Sequence, residues 1–143
     1  MAKGFLAEIV EIFEGDPGVR RVADDPVLTA ELLLLFRMIL ADGEVSEAEL
    51  AVFERICREA FSIEEDSLDG VIEYLEEAGY ETTGAQALGL FAELPLERRR
   101  ALARHMADIA KADHALAPRE VLLLKRSLDV LGLEPEDAVL QPR

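Results

Sequence analysis

Hydrophobic side chains recur along most of the chain at the spacing of three and four residues that gathers them on one face of an α-helix. The pattern predicts an amphipathic helix near residues 3–14 and further helices near 26–41, 47–61, 62–78, 83–92, 95–112 and 118–131. The 26–41 segment is apolar on nearly every side, so we expect it to lie at the centre of the domain. The predicted fold is an all-α, single-domain helical bundle.

Turn residues divide the sequence near its start. Gly15-Asp16-Pro17-Gly18 is expected to end the first helix and to open a loop through Asp24. Asp25 followed by Pro26 has the pattern of an N-cap with proline in the first helical position. We therefore predict an N-terminal amphipathic helix and linker over residues 1–23, and a helical domain over residues 24–143.

Further boundaries are marked by capping residues. Ser46 with Glu49, and Ser62 with Glu65, have the spacing of capping boxes, in which a serine and a glutamate cap each other at a helix start. Gly132 is expected to end the helix that starts at Pro118.

The stretch 41–50 can be aligned position for position with residues 112–121. In both copies an apolar helix ends at an Ala-Asp pair, the backbone bends, and a glutamate follows in the first turn of the next helix. Self-similarity of this kind predicts a duplicated helix–turn–helix unit, with halves at about 26–78 and 83–133.

Composition narrows the function. The formal net charge of −15 argues against binding to nucleic acid or to anionic membranes, and it favours cations or basic protein surfaces as partners. The single cysteine, Cys57, lies on the inner stripe of its helix and is interpreted as a small core residue. The first residues lack the apolar core of a signal peptide, and the longest apolar run, 32–40, is too short to cross a bilayer, so a cytoplasmic location is expected.

The two bends carry the candidate chemistry. Asp42 and Asp113 stand at helix C-termini, where the macrodipole disfavours a carboxylate, and Glu49 and Glu120 stand in the first turns that follow. An arginine, loop N–H groups or a divalent cation could compensate the aspartates, and hard cations prefer oxygen ligands. The alternative for Glu49 is a capping role alone. That role is harder to assign to Glu120, because Ala117 stands where Ser46 does in the first copy.

Other chemistry is less well supported. The EF-hand pattern fails, since Glu47 occupies its glycine position and Phe53 its bidentate glutamate position. Zinc is not expected with one cysteine and with His105 and His114 far apart. Phosphate loops, dinucleotide fingerprints and nucleophile elbows are missing from the sequence, so an enzyme is not expected, and a carboxylate-based hydrolase remains the minor alternative.

Two surfaces could receive a protein partner. The amphipathic stripe of residues 3–14 is expected to dock on the domain's own core, with a partner or a second copy as the alternative. The dense basic patch, formed by Arg98, Arg99, Arg100 and Arg104, is expected to balance nearby carboxylates, with an acidic partner as the alternative.

With these bends in view, the sequence resembles the TerB-like family, named for bacterial tellurite-resistance proteins. The resemblance rests on residues 40–49, on Ala110-Lys111-Ala112-Asp113 followed by Glu120, on Asp24-Asp25-Pro26, and on 129–133. It implies a compact bundle of about seven helices built from two related halves, with no established enzyme activity. Such domains are associated with stress-response and membrane-linked complexes.

The resemblance also implies an acidic cluster that binds a divalent metal such as Ca²⁺, with Mg²⁺ as the alternative. Carried over position by position, its ligands would be Asp42, Glu49, Asp113 and Glu120. Two function hypotheses follow: a non-enzymatic binding or regulatory module that takes a cation, and a protein-interaction scaffold whose acidic residues only cap helices.

Overall fold

The computed structural model describes residues 16–40, 45–81, 89–91, 93–112 and 118–139. Within these ranges no strand occurs, and seven α-helices follow one another: α1 Pro17–Ala23, α2 Pro26–Leu40, α3 Glu47–Glu59, α4 Leu68–Glu81, α5 Leu96–Ala110, α6 Pro118–Leu131 and α7 Pro135–Val139. A 3-10 turn, Glu65–Ser67, leads into α4, and residues 89–91 are also helical. The predicted all-α bundle is confirmed. The predicted 3–14 helix lies outside the described residues.

Helix α2 runs through the middle of the bundle. It packs against α1, α3, α4, α5 and α6, and ten of its side chains are buried. Eight of these are leucine, isoleucine, methionine or phenylalanine, so most of the helix is shielded from water, as its sequence predicts. Helix α5 lies beside it and packs in turn against α3, α6 and α7. These two helices form the centre of the described part of the bundle.

Proline marks the helix starts. Pro17, Pro26, Pro118 and Pro135 are each the first residue of a helix, and Pro95 immediately precedes α5. Proline suits this position because its fixed φ is already helical and its missing N–H would have no partner there. The N-cap predicted at the start of α2 is confirmed, since the Leu28 N–H donates to Asp25 Oδ1 over 3.1 Å.

The loop predicted between Gly15 and Asp25 is wrong over residues 17–23, which form α1. Asp16 caps this helix by accepting from the N–H groups of Gly18 (3.0 Å) and Val19 (3.3 Å). Val19 and Val22 are wholly buried. The helix has only seven residues, too few to show a helical repeat, but its Asp-Pro start is the same signal that was recognised one helix later.

The capping box predicted at Ser62 and Glu65 is also wrong. Ser62 has a φ of +58°, a left-handed conformation that ends α3 instead of starting a new helix. The Ile63 N–H donates to the Cys57 carbonyl over 2.9 Å and satisfies the end of α3. The backbone re-enters helix through the 3-10 turn, and α4 then continues past the predicted stop to Glu81.

Gly132 ends α6 as predicted. Its φ of +73° is left-handed, and the Leu133 N–H donates to the Leu128 carbonyl over 2.9 Å. This is the Schellman arrangement, in which glycine avoids the steric penalty that a side chain would meet. Arg99 reinforces the end of the helix by donating from Nη1 to the Leu131 carbonyl over 2.6 Å.

Replacing Gly18 with alanine should lower the free energy of unfolding by about 1–3 kcal/mol, because the site is already filled. An alanine Cβ would lie 2.4 Å from Ser67 Cβ, where α1 meets the turn before α4. Ser67 is held in place by its own bond to Asp16 Oδ1 (2.5 Å). Urea unfolding followed by circular dichroism measures the loss.

Gly89→Ala is the matched control for this substitution. A Cβ at Gly89 meets nothing within 4 Å, and the residue is helical, so alanine should leave stability unchanged or raise it by about 0.5–1 kcal/mol. Equal changes from the two substitutions would contradict the close packing of α1 against α4.

Candidate functional site

Glu49 and Glu120 occupy the same position in two different helices. Glu49 is the third residue of α3, and Glu120 is the third residue of α6. Each is only 1% exposed. The other two predicted ligands, Asp42 and Asp113, lie outside the described residues. The structure therefore places two of the four predicted carboxylates, both at the buried start of the helix that follows a bend.

Local capping fixes the start of α3. The Ser46 side chain accepts a hydrogen bond from the Glu49 N–H over 3.2 Å, and the Leu50 N–H donates to the Ser46 carbonyl over 2.9 Å. The serine half of the predicted capping box is thus confirmed. Because the bond to Ser46 uses the Glu49 backbone, it holds the first turn in place and fixes where the carboxylate emerges.

A role in helix capping does not explain why these two glutamates are buried. A capping glutamate works equally well at an exposed helix start, whereas withdrawing a carboxylate from water costs several kcal/mol and needs compensation. The positive end of the helix dipole supplies part of it, at most about 2 kcal/mol in a partly buried site. A glutamate buried at the same position of both helices is therefore more than a helix cap.

Helices α3 and α6, which carry the two glutamates, both pack on the central helices. Helix α3 lies against α2 and α5, and α6 lies against α5 and α2, so each contacts both central helices. Nowhere in the described ranges do three His, Cys, Asp or Glu side chains gather as a metal cluster. A cation site at either bend would therefore need ligands from residues 41–44 or 113–117. The internal duplication itself stays a prediction.

A third buried glutamate was not predicted from the sequence. Glu31, in the middle of α2, has 2% of its side chain exposed and accepts two bonds from Arg98: Nε to Oε2 at 3.0 Å and Nη2 to Oε1 at 2.7 Å. The pairing raises the pKa of Arg98, mainly through this hydrogen bond. The sequence signal was a single acid inside a mostly apolar helix, but nothing in it identified a partner 67 residues away.

Two further arginines of the basic patch, Arg99 and Arg100, also have partners within the protein. Arg100 lies 3.2 Å from Asp137 and 3.6 Å from Glu97. Arg99 donates to the carbonyl oxygens of Leu94 and Leu131 instead of to an acid. For Arg98 and Arg100 the interpretation as charge balance is confirmed.

The cysteine and the described histidine have no features of a catalytic pair. Cys57 is fully buried, and burial, followed by the nearby Glu54, raises the pKa of its thiol to about 12, so the thiol stays protonated and the predicted core role is confirmed. Burial also lowers the pKa of His105, which is half-buried in α5. Among the described residues, no helix is long and apolar enough to span a membrane.

Comparison with known proteins places this architecture in a family. The sequence model of a family described as tellurite resistance protein TerB matches residues 28–141. The protein is also similar to a crystal structure of a protein of unknown function from Porphyromonas gingivalis, with 27% sequence identity and a TM-score of 0.61 over 80% of this chain and 85% of that one. No curated protein sequence matches it.

Proposed function

The chain belongs to the TerB family, and we propose that it is a non-enzymatic binding module that takes up a divalent cation, Ca²⁺ in preference to Mg²⁺, at its two acidic bends. The observation that carries the proposal is the burial of Glu49 and Glu120, each 1% exposed at the third position of the helix that follows a bend. Carboxylate oxygens are the ligands that hard cations prefer.

Each residue has a defined role in the proposal. Glu49 and Glu120 hold the ion from the helix side, and Asp42 and Asp113 hold it from the segment that enters each bend. When bound, the ion would supply positive charge to two carboxylates that are withdrawn from water. The protein's part is to keep these oxygens in place, through the Ser46 cap and the packing of α3 and α6 on the central helices.

Binding of this kind suits a regulatory role better than catalysis. A cation that joins two segments at a bend stabilises the arrangement of the helices that meet there, and its effect on the native state grows with its concentration. The net charge of −15 makes a basic surface the expected protein partner, whether in a stress response or in another cellular setting.

Calorimetric titration with Ca²⁺, Mg²⁺ and Mn²⁺ tests the proposal. Wild type should give binding heat, and at a Ca²⁺ concentration a hundred times the Kd its free energy of unfolding should rise by about 2.7 kcal/mol. Glu49→Gln and Glu120→Gln should lose most of the heat. Glu64→Gln, an exposed glutamate at the start of the 3-10 turn, should bind as wild type does and serves as the charge-matched control.

The alternative, in which the glutamates only cap helices, predicts a different result. In that case Glu49→Gln lowers stability by the same amount with and without Ca²⁺, and no titration gives heat above that of dilution. That outcome would remove the cation and leave an acidic interaction scaffold.

A further inference from the structure

A cleft of about 300 Å³ opens on the side of the bundle where α1, α2, the end of α3 and α5 meet. Its floor is apolar, formed by Leu28, Ala101 and Leu102, and two of these side chains are buried. Phe61 and Ala60, just after α3, line another side. The volume is at the small end of the range for ligand sites.

Two arginines at this cleft have donors to spare. A guanidinium carries five N–H donors, and the bonds of Arg98 to Glu31 use one on Nε and one on Nη2. Arg21 donates from Nη1 to the Phe61 carbonyl. Both side chains are therefore held at the cleft by a fixed partner, and both keep further N–H groups for a bound molecule.

The remaining polar groups limit the charge that the cleft can accept. Asp25 and Glu31 also line it, so the two guanidinium charges are opposed by two carboxylates. Glu31 is buried and engaged by Arg98, and Asp25 is engaged as the cap of α2. The cleft therefore offers unused hydrogen-bond donors but little net positive charge. Such a site suits a ligand with one negative charge better than a ligand with several.

His105 and Phe61 give the cleft an aromatic side. Their ring centroids lie 6.0 Å apart at an angle of 59°. Burial lowers the pKa of His105, while Arg104 and Arg55 oppose its protonation and Asp108 favours it. The imidazole is therefore neutral near pH 7 and adds little charge beside the two arginines.

We propose that this cleft binds a small monocarboxylate, whose carboxylate is held by Arg21 and Arg98 and whose apolar body lies on Leu28, Leu102 and Phe61. A planar guanidinium matches a carboxylate in geometry, and the apolar floor has room for a body about the size of one aromatic ring. The site lies apart from Glu49 and Glu120 and does not depend on cation binding. The carboxylate can belong to a free small molecule or to the C-terminus of a polypeptide.

Benzoate and benzamide are matched probes for this site, because they share ring and shape and differ in charge. In a ¹⁵N NMR titration of the whole protein without added metal, benzoate should shift the amide signals of Phe61, Ala101 and Leu102, with a Kd on the order of millimolar. Benzamide should bind at least about tenfold more weakly. N-acetylphenylalanine and its amide provide the same comparison for a polypeptide C-terminus.

Arg21→Gln is the decisive variant, because Arg21 is exposed and its loss leaves no buried charge behind. It should weaken benzoate binding by about tenfold, whereas Arg126→Gln, an exposed arginine of α6 outside the cleft, should not change it. Binding of N-acetylphenylalanine without binding of benzoate would still support the site and identify a polypeptide terminus as its ligand. Equal binding of acid and amide, or equal loss in the two variants, would overturn the proposal.

Discussion

Replacing Phe53 with alanine should lower the free energy of unfolding by about 3–5 kcal/mol. Phe53 is wholly buried on the inner face of α3, and its ring lies 5.7 Å from that of Phe36 in α2 at an angle of 53°. Alanine would remove that contact and leave a cavity between two helices that cannot close together fully. Urea unfolding at constant pH measures the change.

Leu122→Ala provides the control for Phe53→Ala. Leu122 is a large apolar residue of α6 that is 48% exposed, so truncating it should change stability by no more than about 0.5 kcal/mol. Losses of similar size from the two substitutions would mean that the buried face of α3 has been assigned incorrectly.

Replacing Arg98 with alanine should be nearly as damaging, at about 3 kcal/mol. Its partner Glu31 has 2% of its side chain exposed, so the substitution leaves a carboxylate buried in the central helix without its two hydrogen bonds. Because the Arg98 side chain is itself 45% exposed, the loss should fall at the lower end of the range for buried pairs. Thermal and urea unfolding of the same samples measure it.

Two further variants compare the stability contribution of the buried Glu31–Arg98 pair with that of the surface ion pairs of Arg100. Arg100→Ala breaks contacts with Glu97 and Asp137 at the surface and should cost less than about 1 kcal/mol. Adding Glu31→Gln to Arg98→Ala should restore part of the loss, because the stranded charge is then gone. If Arg98→Ala costs no more than Arg100→Ala, the Glu31–Arg98 pair does not hold α2 to α5.

Most of the helices could be predicted because they are long. Helices α2, α5 and α6 each span about four turns, so the apolar pattern of each is long enough to be recognised. Helix α1 was not predicted because its two turns carry too few residues to establish an apolar repeat. Asp16-Pro17 nevertheless has the N-cap and proline pattern of a helix start. Ser62 was misread because a serine before a glutamate is the same signal whether the serine starts a helix or, in a left-handed conformation, ends one.

Only the local part of the candidate site, the position of each glutamate along its helix, could be predicted from the sequence. The repeat placed Glu49 and Glu120 at equivalent helix starts, since position along a helix follows from local sequence. Their burial depends on how α3 and α6 pack on the central helices, which is not local. The cleft could not be predicted, because Arg21 and Arg98 come together only through the packing of α1 and α5 around α2.

In the part of the chain that the structure describes, the core of the bundle contains three buried glutamates, and their surroundings differ. Glu31 is paired with an arginine from the neighbouring central helix, which makes it a structural element of the core. Glu49 and Glu120 lie instead at helix N-termini, where we propose that a cation binds. The same rule, that a carboxylate withdrawn from water needs positive charge nearby, underlies both arrangements.

Paramagnetic broadening by Mn²⁺ tests the cation proposal most directly, because it reports where the ion sits. At substoichiometric Mn²⁺ the amide signals of residues 45–50 and 119–121 should broaden first, excess Ca²⁺ should restore them, and Glu49→Gln with Glu120→Gln should abolish the effect. Broadening spread evenly over the exposed glutamates of the acidic surface, and unchanged in that double variant, would contradict the account.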